Sequence, residues 1–154
     1  MTVNYLILHP SNFITSAWSG GKTTQMIIYP TSSSYKNLDF KFRISSATVE
    51  TDQSVFTILP DIHRFITPLN GLLSLKHDEM NEILLNPFDI YEFPGDIETI
   101  SHGKVQDFNL MLAKGVKGSL KKIQIDHSLS LTICLLYTSP SPRDRTRSRM
   151  PSSA

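Results

Sequence analysis

Ten short runs rich in β-branched and aromatic residues follow one another along the chain, and nothing of helical length interrupts them. They read TTQMIIYP, LDFKFRISSATV, SVFTIL, HRFITPL, LLSLKH, EILLN, FDIYEF, IETIS, KVQDFNLMLAK and KKIQI. Between them lie turn-forming stretches: PTSSSYKN, ETDQ, PLNG, KHDEMN, FPGD, SHGK and KGVKG. Branched and aromatic side chains suit a pleated, half-buried backbone, and Gly, Pro, Asn, Asp and Ser supply the tight reversals. No window places apolar residues at i, i+3, i+4 and i+7, and DEMNEILLN, which comes nearest, is too short to stand as a helix. Short strands at regular spacing predict an all-β chain built as an antiparallel sandwich or barrel.

Period-2 alternation sorts these side chains by face. In DFKFRIS, Phe40, Phe42 and Ile44 share one face, and Lys41, Arg43 and Ser45 share the other. In QDFNLML, Phe108, Leu110 and Leu112 oppose Asp107, Asn109 and Met111. A polar face turned to water is the ordinary condition of an antiparallel sheet, so spacing alone favours solvent for Arg43, Asp107 and Asn109. The sharper alternative has these three lining the mouth of a barrel.

Composition narrows the class. A chain of 154 residues with 40% hydrophobic and 19% charged residues makes one ordinary globular domain. No apolar run reaches the ~18 residues of a membrane helix, and MTVNYLILHPSNF lacks the basic start and long apolar stretch of a signal peptide. The expectation is a cytoplasmic protein with no membrane partner. The single cysteine, Cys134, leaves no internal disulfide. The net charge of +1 divides unevenly: residues 135–154 hold four arginines and one aspartate, leaving 11 basic and 13 acidic residues in 1–134. A mildly acidic body lacks the basic face of a nucleic-acid module, so no nucleic-acid partner is expected.

The basic end is a different kind of sequence. SPSPRDRTRSRMPSSA has no period of 2 or 3.6 and the composition of a solvated coil. An arginine-rich RNA-binding arm is one reading. The favoured one is an extension foreign to the gene, because CLLYTSPSPRDRTRSRMPSSA resembles a recurrent non-native ending on translated fragments. The expected organisation is a β domain over 1–133, shortened at its C-terminus, and a disordered, non-native tail over 134–154.

GGKTT, within SAWSGGKTTQMIIYP, superficially matches the phosphate-gripping end of a nucleotide-binding loop. The position that needs the first glycine is Ser16, and the residues that follow read as a strand rather than the helix whose N-terminus would hold the phosphate. The expectation is a turn and strand start that places Trp18, with no nucleotide bound.

Taken in order, AWSGGKTTQMIIYP, LDFKFRISSATVETDQSVFTILPDIHRFITPLNG, FPGD and HGKVQDFNLM resemble the HutD/Ves family of bacterial proteins over roughly residues 5–120. The resemblance implies a cupin-like antiparallel β-barrel or sandwich of the double-stranded β-helix type, usually built as two cupin-like halves, of which the second is expected to be incomplete here. It also implies an association with histidine utilisation or stress response, with small-molecule binding or regulation and no established catalysis. Trp18, Thr23, Arg43, Ser45, Arg64, Asp96, Asp107 and Asn109 fall on the family's motif positions. The chain departs from the pattern in having Phe42 before Arg43, and in lacking glycine in LPDI and glycine–proline in TDQSVF.

Candidate ligand-binding residues are therefore Trp18, Thr23, Arg43, Ser45, Arg64, Asp107 and Asn109. Arg43 leads, because a guanidinium recognises a carboxylate with two parallel hydrogen bonds; the competing structural role is a salt bridge to Asp107. The expected partner is a small carboxylated metabolite, such as a formylated or formimino derivative of glutamate. The histidines at 9, 63, 77, 102 and 127 include no pair one residue apart, so neither metal nor cofactor is expected. His77 and His102 read as solvated loop residues, whereas His63 beside Arg64 is a candidate for contact with an anion. Trp18 reads equally as a pocket wall or as core. The alternative function is an isomerase or hydrolase with Asp107 as base and Arg43 as substrate clamp. Whether the chain forms a homo-oligomer is left open by the sequence.

Overall fold

A computed structural model of the chain describes residues 7–79 and 81–128, and residues 7–124 of these lie within one compact unit. The 134–154 tail lies outside the described residues. The described residues form ten strands: β1 (Ile14–Trp18), β2 (Gly21–Tyr29), β3 (Phe42–Val49), β4 (Gln53–Val55), β5 (Ile62–Asn70), β6 (Leu73–His77), β7 (Ile83–Leu85), β8 (Tyr91–Pro94), β9 (Thr99–His102) and β10 (Gln106–Ala113). A three-residue 3-10 turn over Pro10–Asn12 is the one helical element among the described residues. Every strand pairing is antiparallel. The strands form a six-stranded sheet in the order β1-β2-β3-β10-β5-β8 and a four-stranded sheet in the order β4-β9-β6-β7. The two sheets are not hydrogen-bonded into a closed barrel.

Nine of the ten predicted runs become strands. KKIQI does not: residues 121–125 have no strand pairing. Conversely, ITSAW was not read as a strand, yet it forms the exposed edge β1, held by a full ladder to β2 from Ile14–Gln25 to Trp18–Gly21. SVFTIL is shortened to its first residues, because beyond Val55 the backbone leaves the ladder.

WSGGKTT is a two-residue hairpin turn. Trp18 pairs with Gly21 across Ser19 and Gly20. A Cβ on Gly20 would lie 2.1 Å from the indole of Trp18, and one on Gly21, whose φ is +151°, would lie 1.9 Å from the Thr48 carbonyl oxygen. Only glycine permits that approach, so the pair serves hairpin closure and the seating of Trp18.

Burial divides into three apolar clusters. Val49, Ile66, Leu73, Leu75, Leu85, Phe93 and Val105 join residues of both sheets and bind them face to face. Ile28, Phe40, Leu59, Ile62 and Met111 form a second cluster. Phe65, Leu110 and Leu112 form the third on the far face of the large sheet, where Phe42, Ile44, Val116 and Leu120 pack against them. Phe40 therefore parts company with Phe42 and Ile44: strand β3 begins only at Phe42, so alternation does not reach back to residue 40.

Register is irregular at two places. Between β2 and β3 the pairing skips Met26, and between β5 and β10 it skips Leu69, next to the Asp107–Pro68 pair. Pro68 has no N–H for the ladder, and a bulge is how a central strand accommodates it.

Leu75 is fully buried at the sheet interface, whereas Leu84, in the adjoining strand, is 58% exposed. Leu75→Ala is expected to cost about 2–5 kcal/mol in urea denaturation, and Leu84→Ala within about 0.5 kcal/mol of zero.

Candidate functional site

The inward face of the six-stranded sheet carries polar groups in rows fixed by register. One row runs Arg43, Met111, Arg64 across β3, β10 and β5; the next runs Gln25, Ser45, Asn109, Ile66; a third runs Ser16, Thr23, Ala47, Asp107 across β1, β2, β3 and β10. The two arginines thus flank Met111 on strands roughly 10 Å apart. These rows, apart from Gln25 and Ile66, form the floor of a cavity of about 340 Å³, and Ser54 and Val55 of β4 with Phe56 and Thr57 after it contribute to its wall. That size falls within the range of small-molecule sites.

All seven candidate residues, Trp18, Thr23, Arg43, Ser45, Arg64, Asp107 and Asn109, line this cavity. Arg43, Ser45, Arg64, Asp107 and Asn109 are buried, Thr23 is half-buried, and Trp18 is the most exposed of the set. The expectation that the polar faces of β3 and β10 meet water is corrected: the second sheet covers that face and leaves the cavity between. Asp96 is not brought in; it sits exposed in the turn after β8.

Arg43 donates from Nε to Gln25 Oε1 at 2.8 Å and from Nη1 to Ser45 Oγ at 3.0 Å, with its guanidinium 4.5 Å from the Tyr35 ring centroid. Arg64 lies with its guanidinium 4.5 Å from the Phe56 centroid and 5.2 Å from that of Phe93. Its Nη2 reaches Asn109 Oδ1 at 3.5 Å, and its Nε, fully buried, has no hydrogen-bond partner. Among the described residues neither arginine forms an ion pair, so the Arg43–Asp107 salt bridge considered from sequence does not form. Burial lowers both guanidinium pKa values, that of Arg64 to about 10. Aromatic faces and neutral oxygens hold these cations in place of carboxylates.

Asp107 lies beside the bulge between β5 and β10. Its Oδ1 accepts from the Ala47 N–H at 3.2 Å, and its backbone carbonyl accepts from Ser46 Oγ at 2.6 Å. Burial pushes the carboxyl up to about 6, against the opposing pull of the Ala47 N–H, the Arg64 charge and a hydrogen bond with Asn109.

The histidines stand elsewhere. His63 points away from the cavity, exposed, 3.5 Å from Glu92 and edge-on to Phe65. His102 ends β9, exposed, 3.7 Å from Glu82. His77 corrects the loop expectation: it is the last residue of β6, 1% exposed, its Nδ1 bonds Thr99 Oγ1 at 2.8 Å, and its ring packs against those of Tyr91 and Phe93. Burial lowers its pKa, which favours the neutral ring. Alternation back from His77 through Leu75 and Leu73 gave the signal that was missed. Sequence reasoning also missed Gln25, Tyr35 and Phe56, none of which shares a local motif with the arginines. No group of three His, Cys, Asp or Glu side chains among the described residues is placed to hold a metal ion. No helix among them is long and apolar enough to cross a membrane.

Because the Asp107 carboxyl is raised from 3.8 to about 6, the folded state binds its proton more tightly than the unfolded chain does. Its contribution to stability is present below about pH 4 and is lost as pH rises through 6, by about 3 kcal/mol. Asp107→Asn should therefore stabilise the protein at pH 7.5 and flatten its urea-unfolding profile between pH 4 and about 6.

A sequence model of the HutD family matches residues 11–136. No curated protein sequence matches the chain. Among solved structures, HutD from Pseudomonas fluorescens SBW25 superposes with a TM-score of 0.59 at 22% identity, over 69% of this chain and 59% of that one. A conserved protein of unknown function from Pseudomonas aeruginosa PAO1 gives 0.60 at 26% identity, over 69% of this chain and 56% of that one. The chain thus spans less than two thirds of the length of either Pseudomonas protein. KdgF from Halomonas sp. gives 0.53 at 10% identity, over 71% of this chain and 95% of that one, a likeness of fold alone. The architecture is a cupin-like, antiparallel all-β fold, and the chain belongs to the HutD family.

Proposed function

We propose that the chain binds a small carboxylated metabolite in the cavity between Arg43 and Arg64 and acts without chemistry, in a regulatory or homeostatic role linked to histidine utilisation or stress response. One observation carries this reading: two buried guanidiniums face a cavity with no ion-pair partner among the described residues, and one has a buried, unpartnered Nε. An unsatisfied buried donor costs about 1–3 kcal/mol, and a carboxylate ligand meets that demand with a charge-assisted pair. The link to histidine rests on the family's association, and among histidine breakdown products the formylated and formimino glutamates carry the required group. On this reading the protein works in the cytoplasm, with no nucleic-acid or membrane partner and as a homo-oligomer or a monomer.

The alternative is an isomerase or hydrolase in which Asp107 is the base and Arg43 the substrate clamp. The position and raised pKa of Asp107 favour it. Against it, no histidine, cysteine or lysine among the described residues lines the cavity, and Tyr35, the other titratable side chain there, has its ring against the Arg43 guanidinium, so binding is preferred.

Thermal shift with histidine and its breakdown products tests the proposal. At a hundredfold excess over Kd, a bound metabolite stabilises by about 2.7 kcal/mol. A shift with a carboxylated product, lost in Arg43→Ala and in Arg64→Met, is expected. The absence of any shift with all of these acids would remove the histidine connection.

A further inference from the structure

The cavity holds three formal charges close to neutral pH: Arg43 from β3, Arg64 from β5 and Asp107 from β10. Tyr35 is the other titratable side chain in its lining; Thr23, Ser45, Asn109 and the Ala47 N–H, which also face the site, carry no charge. All three charged groups are buried, so the sum of their charges is felt in a low-dielectric space rather than diluted in water. Empty, the site is positive by one. A single carboxylate makes it neutral with Asp107 ionised, whereas two carboxylates leave an uncompensated negative charge, which is costly to bury.

Resting on the carboxylate-binding reading above, we propose that the pocket accepts one net negative charge: a monocarboxylate enters alone, and a dicarboxylate enters together with one proton, which lodges on Asp107. The donors decide where the proton goes. Arg43 and Arg64 bring their guanidinium charges to the cavity lining, where the carboxylates of the ligand would sit, although Arg43 Nε and Nη1 are held by Gln25 and Ser45 and Arg64 Nε is buried without a partner. Asp107 has one backbone N–H and the Asn109 side chain, so it is the weakest-held anion of the three. No bond other than O–H is made, and the proton comes from solvent. Burial alone already holds the Asp107 carboxyl at about 6, and a second anion beside it raises it further.

Titration calorimetry of the full chain with butyrate and glutarate, run at about pH 7.5 in buffers of different ionisation heat, counts the protons taken up. Glutarate should take up close to one proton per site and butyrate no more than a few tenths. Glutarate affinity should fall by up to about tenfold per pH unit from 6.5 to 8.5, whereas butyrate affinity stays nearly level. Asp107→Asn, checked for native unfolding behaviour, should abolish the slope and tighten glutarate about tenfold or more at pH 8.5. If both acids bind the wild-type chain without proton uptake, the charge rule is wrong while the carboxylate pocket stands. If neither acid binds, both readings fall together.

Discussion

Two guanidinium groups lie inside this sandwich with no acidic partner at ion-pairing distance among the described residues, and most of the site's geometry follows from how they are tolerated. A buried cation needs its hydrogen bonds met and its charge offset. Arg43 is held by Gln25 and Ser45 and lies against Tyr35; Arg64 lies between Phe56 and Phe93 and touches Asn109 only at the limit of hydrogen bonding. Partners come from β2, β3, β8, β10 and the connections around Tyr35 and Phe56, so the cations tie the two sheets to one cavity. The compensation is incomplete, since one donor is unmet and Asp107 is the only acidic side chain among the described residues that line the cavity.

The scaffold fixes these groups by packing on the opposite face. Phe42, Ile44, Phe65, Leu110 and Leu112 pack together beneath β3, β10 and β5, and Val116 and Leu120 lie against them. Since neighbouring residues on a strand point to opposite faces, anchoring these side chains aims Arg43, Arg64, Asp107, Asn109 and Met111 into the cavity. A one-residue slip would exchange the two sets, so the apolar cluster and the polar cavity enforce one another. The two bulges alter that pattern locally, one at Met26 beside Gln25 and one at Leu69 beside the partner of Asp107. Both sit next to residues that define the site, where a bulge re-aims a side chain.

Much of the fold was legible. Runs of β-branched and aromatic residues between turn-formers marked nine strands, and the family resemblance pointed to the seven residues that the structure gathers round one cavity. The misses have physical causes. Strand β1 is exposed along its length and made of ITSAW, with little apolar periodicity to announce it; KKIQI has the composition of a strand but takes no strand conformation. His77 was misplaced because KHDEMN reads as turn material, although its alternation with Leu73 and Leu75 put it on the buried face.

Sequence by itself determined the class of structure, the two faces of β3 and β10, and the chemical types available: guanidinium, carboxylate, amide and hydroxyl at alternating positions. Period-2 alternation separates two faces but does not say which one another sheet will cover. Only the tertiary structure decided that, by laying the second sheet over the polar face and an apolar segment over the other. It also decided that Arg43 and Arg64, 21 positions apart, flank Met111, and that Asp107 stands close to Arg64 without pairing with Arg43. Those relations rest on strand order and register, which are set by contacts between residues distant in sequence and therefore leave no local signature.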